Sequence, residues 1–261
     1  MTVCLTLFTT CKPFAGRFAT IQRNALRSWK KLCPPCEVLL FGDEAGVHEC
    51  CAELGFRHFP EVARNGFGTP LLNSMFELAE RSAKNDYLAY VNADIMLTSD
   101  LISAAQTVSE RFDKFLLIAR RWNVDIHDEW DSQLADWDVE LNRYAAAHGT
   151  LEPPEGGTDV FVYRRGTLDN LPPFAIGRSR CDSVLILQAR RCGVPVIDAT
   201  DALTAVHQNH DYSHIALSKT DNIKGPEAII NERLLGGEEF VFTSLNATHV
   251  LTKSGIRRNG S

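Results

Sequence analysis

Residues 86–97 read "DYLAYVNADIML". The run from Tyr87 to Val91 is apolar, as expected of a strand buried on both faces. An amide, Asn92, and a carboxylate, Asp94, then interrupt it two positions apart. If the strand stays extended, both side chains project from one face. Carboxylate and amide oxygens are hard ligands suited to Mg²⁺ or Mn²⁺. The same residue types cap turns at strand ends, and the spacing fits that role equally well.

Before this stretch, apolar runs alternate with helical patterns. "VCLTLFT" (3–9) predicts a strand, and "GRFATIQRNALRSWKKL" (16–32) a helix with Phe18, Ile21, Ala25, Trp29 and Leu32 at helical spacing. "EVLLFGD" predicts a second strand, "AGVHECCAELG" a short helix closed by Gly55, and "FRHFP" a third strand. "TPLLNSMFELAERSA" predicts a helix with Thr69 as N-cap and Pro70 at its first position. After residues 86–97 come a helix in "SDLISAAQTVSERF" and a fifth strand in "KFLLIARR". Such alternation predicts an α/β fold with a mostly parallel central sheet flanked by helices. Ligands of these sheets gather at the carboxyl ends of the strands, where Asn92 and Asp94 fall.

Residues 121–155 carry Trp122, Trp130, Trp137 and many acids, and predict helices and loops over one side of the sheet. "TDVFVYRRG" predicts a strand, "RCDSVLILQARRCG" a helix ended by Gly193, and "VPVIDA" another strand. "GGEEFVFTSLNATHVLT" predicts a hairpin, followed by the basic tail "KSGIRRNGS".

The 261 residues are 44% apolar, enough for one large core, and the net charge of −6 argues against nucleic-acid binding. No apolar run reaches the roughly 18 residues of a membrane helix. "MTVCLTLFTTC" has no basic n-region and reads as a strand rather than an export signal. Eight cysteines in such a chain favour reduced thiols and a cytoplasmic location. "CPPC" (33–36) has the spacing of a redox pair or half a zinc site, but no second half follows, which favours a Pro-stiffened turn.

A dehydrogenase-type nucleotide fingerprint is missing, since "TTCKPFAGRF" has one glycine where a pyrophosphate elbow needs more. Phosphates bound here would need another source of positive charge, such as a divalent cation. "TAVHQNHDYSH" places His207, His210, Asp211, Tyr212 and His214 directly after a short apolar run. His207 and His210 are candidate ligands for a metal or a phosphate, with His207 at the predicted strand end.

The ordered set "VLLFGDEAG", "GTPLLNSMFELA", "YLAYVNADIML", "GGTDVFVYRRG", "GRSRCDSVLILQARRCG" and "AVHQNHDYSH" resembles the nucleotide-sugar-dependent glycosyltransferases of the GT-A fold. The resemblance covers residues 3 to about 215. It implies one GT-A domain over 1–215, with a nucleotide-sugar half (1–120) and an acceptor half (121–215). Residues 216–261 would be an extension packed on the same domain. The family's DXD motif holds Mn²⁺ or Mg²⁺ against the sugar-nucleotide diphosphate. Here it reads Asn92-Ala93-Asp94, so Asp94 carries over as metal ligand. Asn92 would touch the ribose, or the metal through its amide oxygen. Phe8, Thr9, Thr10 and Asp43 would meet the base and ribose, and Arg64 and Asn65 the nucleotide edge; the last two fit a solvated loop nearly as well.

Asp182 matches the family's acid that opens a helix on the acceptor side and takes a proton from the attacking hydroxyl, which gives an inverting reaction. Asp is also a favoured N-cap, and both roles are compatible. Asp159 is the second acceptor-pocket candidate, after glycines that permit close approach of a sugar. The implied partners are a nucleotide-sugar donor, a UDP-sugar by family frequency, and a carbohydrate or glycoconjugate acceptor. Two other readings stand beside this one. A sugar-phosphate nucleotidyltransferase usually has a Gly-rich basic loop after the first strand; here only Lys12 and Arg17 are present. An inactive carbohydrate- or nucleotide-binding module would account for the missing first acid.

Overall fold

The computed structural model describes residues 3–131, 134–210 and 224–260. Its frame is a nine-stranded sheet. In chain order its strands are β1 (Leu5–Thr10), β2 (Glu37–Phe41), β3 (Arg57–Phe59), β4 (Tyr87–Val91), β6 (Leu116–Ala119), β9 (Val160–Arg164), β10 (Val196–Asp198), β12 (His249–Thr252) and β13 (Gly255–Arg258). Their spatial order is β13-β12-β10-β6-β9-β4-β1-β2-β3. β1 runs parallel to β2 and β4, and β10 parallel to β6 and β12. β9 lies antiparallel between β4 and β6. The sheet is therefore mostly parallel, with one reversed strand, β9, at its centre and another, β13, at its edge.

Both faces are covered. Leu5, Leu7, Ala89 and Val91 point into one core layer with Trp29 of α1 (Gly16–Lys30). Phe8, Leu88 and Tyr90 point into the other with Phe76 of α3 (Leu72–Ser82) and Leu185 of α6 (Ser183–Arg191). Strands buried on both sides must be apolar at every position, so these runs read continuously. The remaining α-helices among the described residues are α2 (Val47–Leu54), α4 (Asp100–Ser109), α5 (Trp137–His148) and α7 (Pro226–Leu235). No helix among the described residues is long and apolar enough to cross a membrane.

A second sheet has four short strands in the order β5-β11-β7-β8. They are β5 (Ile95–Leu97), β7 (Trp122–Val124), β8 (Thr150–Leu151) and β11 (Ala205–Gln208). Met96, Val124 and Val206 from this sheet pack with Trp137, Leu141 and Ala145 of α5. Buried polar side chains join it to α1. Gln208 Nε2 donates to the carbonyl of Ile21 at 2.8 Å, Asn24 Nδ2 to Gln208 Oε1 at 2.9 Å, and Trp29 Nε1 to the carbonyl of Ile95 at 2.9 Å.

Several expectations change. Residues 86–97 are not one strand: the chain leaves the large sheet at Val91, turns through 92–94 and enters the small sheet at Ile95. The turn is closed by the Ile95 amide donating to the carbonyl of Asn92 at 3.1 Å. Residues 121–155 contribute strands as well as a helix. Thr69 does not cap α3, whose N-cap is Leu71. Its hydroxyl accepts from Arg178 instead, and its amide donates to Asn65 Oδ1. The C-terminal hairpin pairs 249–252 with 255–258, so the basic tail is its second strand.

Candidate functional site

A cleft of about 750 Å³ opens where β1 and β4 end and the chain crosses from the large sheet to the small one. Thr10, Arg64, Asn92, Ala93, Asp94, Asp159, Asp182, His207 and His210 all line it. The structure thus gathers nine of the sequence-derived candidates, from six separate segments, on one surface.

Asp94, His207 and His210 converge. Oδ2 of Asp94 lies 3.6 Å from His207 Nε2 and 3.4 Å from His210 Nε2. One ligand atom from each residue lies within 4.8 Å of the others. Oδ1 of Asp94 is buried with no hydrogen-bond partner. Burial pushes the Asp94 carboxyl up, but the hydrogen bonds and charge that the two imidazoles supply when protonated outweigh it and keep the group well below the usual carboxylate range. Two nitrogens and a carboxylate, one of whose oxygens is otherwise unsatisfied, fit a divalent cation with sites left open for other ligands. Small-sheet register creates this meeting: His207 pairs directly with Ile95, the residue after Asp94.

Asn92 faces a different set of groups. With the strand broken at Asn92, residues 92 and 94 no longer share extended geometry. Asn92 Nδ2 donates to Asp159 Oδ1 at 2.5 Å, and its Oδ1 accepts from the Tyr90 hydroxyl at 2.9 Å. Asp159 is nearly buried, and its Oδ2 accepts from Arg121 at 2.6 Å. Burial works against the Arg121 charge, but Asp159 and Glu152 more than offset it and raise its pKa. Both oxygens of Asp159 are therefore engaged in positioning Asn92 and Arg121. Of the two glycines before Asp159, a Cβ on Gly156 would come within 2.3 Å of the Glu152 carboxylate, and one on Gly157 would lie 3.5 Å from Asp182 Oδ2.

Asp182 occupies the N-cap position of α6 but makes no side-chain cap. Its Oδ2 instead accepts from the Thr158 amide at 3.2 Å, on the cleft wall. Burial raises its pKa and the charge of Asp159 adds to this, while the Thr158 amide works the other way. A carboxyl so tuned is a better proton acceptor than an ordinary aspartate.

Four candidates lie off the cleft. Phe8 is fully buried, packed edge-on to Phe41, Phe76 and Tyr163, and does not reach it. Thr9 is buried and donates to the carbonyl of Thr10. Asp43 is exposed and pairs with Arg64 at 2.8 Å, beside a separate shallow hollow. Asn65 organises its own loop, accepting from Phe67 and Thr69, and donates to Glu227 of α7 at 2.7 Å. Asp211, Tyr212 and His214 lie outside the described residues. The eight cysteines are free, and no metal-ligand cluster among the described residues includes one.

Three further cleft cations, Lys12, Arg121 and Arg178, had no site role in the sequence, where Lys12 entered only as a basic residue after the first strand. Lys12 follows β1, its backbone clamped by buried Gln22, and its Nζ sits 4.1 Å from the Phe18 ring centroid. Burial lowers its pKa, Arg178 lowers it further, and Asp94 opposes both. Arg178 is held by Glu227 at 2.8 Å, so α7 positions a cleft cation. Arg121 ends the predicted fifth strand. The available signal was a cation at a strand end or turn, which ordinary surface residues share. Arg17 is not a cleft residue; it ties α1 to the carbonyls of Ile126, His127 and Asn209.

No protein-family model matches the chain, and no curated protein matches it. Solved structures do. S. aureus TarS 1–349 in complex with UDP-GlcNAc superposes with a TM-score of 0.54 at 14% identity, covering 90% of this chain and 68% of that one. GalNAc-T7 with UDP, GalNAc and Mn²⁺ gives 0.56 at 13% identity, with 90% and 48% covered. The mannosyltransferase PcManGT from Pyrobaculum calidifontis, with GDP-Man and Mn²⁺, gives 0.52 at 14% identity, with 82% and 59% covered. This chain spans less than two thirds of the last two. At such identities the likeness is one of fold: the architecture is the GT-A fold.

Proposed function

We propose that the chain is a glycosyltransferase that moves a sugar from a nucleotide-diphosphate donor to an acceptor hydroxyl with inversion, assisted by a divalent cation. The observation that carries this reading is the convergence of Asp94, His207 and His210 in the cleft that also holds Asp182. Asp94, His207 and His210 would hold the ion. Two imidazole nitrogens favour Mn²⁺ over Mg²⁺, which takes oxygen ligands. A cation bound there offsets the negative charge that develops on a departing diphosphate. Lys12 and Arg178 add fixed positive charge in the same cleft. Asp182 takes the proton of the acceptor hydroxyl as its oxygen bonds to the anomeric carbon and the bond to the diphosphate breaks. Asn92, held by Tyr90 and Asp159, faces the donor. In this reading residues 1–120 serve the nucleotide sugar, 121–215 serve the acceptor and lend His207 and His210 to the cation, and the C-terminal segment braces Arg178. The solved structures of similar fold that hold UDP-GlcNAc, or GDP-Man with Mn²⁺, support the donor class.

The test is a panel of UDP- and GDP-sugars with and without Mn²⁺, read by thermal unfolding and by release of labelled sugar. A donor at 100 times its Kd should add about 2.7 kcal/mol of stability. Slow, Mn²⁺-dependent hydrolysis of that donor is expected, and Asp94→Ala should remove the Mn²⁺-dependent part. Tight binding without any turnover would identify a binding module. A panel in which no nucleotide sugar binds would overturn the reading.

A further inference from the structure

The register of the small sheet sets Asn123 of β7 directly beside His207 of β11. Asn123 Oδ1 lies 3.0 Å from His207 Nδ1. The same oxygen accepts from Arg121 Nε at 3.1 Å, while Asn123 Nδ2 donates to Glu152 Oε2 at 2.6 Å. These two partners fix which way the amide points. An arginine Nε–H can only donate and a carboxylate can only accept, so the atom facing Arg121 and His207 must be the oxygen. An amide oxygen has no proton to give, so His207 Nδ1 must carry one.

We propose that Asn123 is a positioning residue that holds the neutral His207 ring as its Nδ1–H tautomer, leaving Nε2 bare toward Asp94. The inference rests on the cation reading only for its purpose. A bare imidazole nitrogen 3.6 Å from a carboxylate oxygen is a pair of acceptors facing each other. The arrangement is favourable once a cation lies between them, and the unsatisfied Asp94 Oδ1 points to the same need. Hydrogen bonds from the outer nitrogen of a ligating histidine are the usual means of fixing its tautomer and direction. Here the chain of contacts continues from Asn123 through Arg121 to Asp159 and so to Asn92. One polar network therefore orients both His207 and Asn92.

The tautomer is read on the metal-free full chain by long-range proton–nitrogen NMR of the His207 ring, at a pH where the ring is neutral. The expected result is Nδ1–H in the parent and a loss of that preference in Asn123→Leu. An Nε2–H ring in the parent, or an unchanged tautomer in Asn123→Leu, overturns the proposal. Mn²⁺ affinity, followed by electron paramagnetic resonance of the free ion, is the second readout. Asn123→Leu should weaken it about 10–100-fold. The double variant Asn123→Asp with Glu152→Gln reverses the amide–carboxylate pair, conserves charge and keeps an acceptor on Nδ1–H. It should restore affinity to within a few-fold of the parent. A double variant as weak as Asn123→Leu would show that the acceptor is not what matters and would overturn the proposal. A parent with the Nδ1–H tautomer and no Mn²⁺ affinity would refute the cation reading alone.

Discussion

The large sheet and the small sheet meet at residues 92–94 and follow different rules. Strands of the large sheet are sandwiched between two apolar layers, and residues such as Phe8, Leu39 and Phe161 are almost wholly excluded from water. Its only sequence-derived ligand candidates besides Thr10 are core residues that never reach the cleft. The small sheet has strands of two to four residues and is fastened to α1 partly through Asn24 and Gln208. Nevertheless it carries His207, and its first strand begins immediately after Asp94. Apolar packing supplies the frame, and a sheet of short strands at its rim, with the residues that flank them, supplies the candidate cation ligands. Asp182 stands on the frame side, at the start of a helix packed on the large sheet. The contrast implies that variants on the two sides should fail in different ways.

The largest separation is expected at Asp182. Asp182→Asn keeps a side-chain oxygen for the Thr158 amide, so folding and donor affinity should change little. Transfer should fall roughly 10²–10⁴-fold. The pH profile of the parent should show an acid limb, because a base works only when ionised. Its raised pKa places the midpoint above the ordinary aspartate value, with activity lost as pH falls through it. The variant should lack that limb. Near-parent transfer in Asp182→Asn would remove the base from the frame side.

Phe8 tests the frame itself. Phe8→Ala should cost about 3–5 kcal/mol in denaturant unfolding, from lost burial and the cavity left behind. Phe8→Leu should fold and bind the donor within a few-fold of the parent. Lost donor affinity in a stable Phe8→Leu protein would mean that the large sheet contacts the nucleotide after all.

His210 is the matching probe of the rim. His210→Ala should leave the unfolding midpoint close to that of the parent, yet weaken Mn²⁺ binding on the order of 10-fold or more, by analogy with the cost of disturbing metal sites. Titration of Mn²⁺ against both proteins decides it; equal affinities would take His210 out of the ligand set. The smallest effect is expected at Asp43, whose carboxylate is 73% exposed and pairs with Arg64. Asp43→Ala should change stability by less than about 1 kcal/mol. Its donor affinity, measured alongside, should stay within a few-fold; a large loss would extend the site out to the surface loop.

Much of the frame was legible from the chain alone. Strands covered on both faces need continuous apolar runs, helices need a stripe every three to four residues, and Gly55 closes its helix at φ 70°. Those local demands, repeated along residues 3–120, determined an α/β sheet with helices on both faces, and the polar break after Val91 marked where its cleft would lie. The small sheet was not legible, because strands of two to four residues cannot display a period. Their pairing joins distant segments: Asp94 meets His210 across 116 positions and His207 meets Asn123 across 84. Which acids are free and which are engaged was likewise decided only in three dimensions. Asp159 and Asp182 look alike in sequence and both line the cleft, but the oxygens of the first are claimed by the Arg121 and Asn92 side chains, while the second accepts from the Thr158 backbone amide. A residue's type is local, whereas the partners that claim its oxygens are brought to it by the rest of the fold.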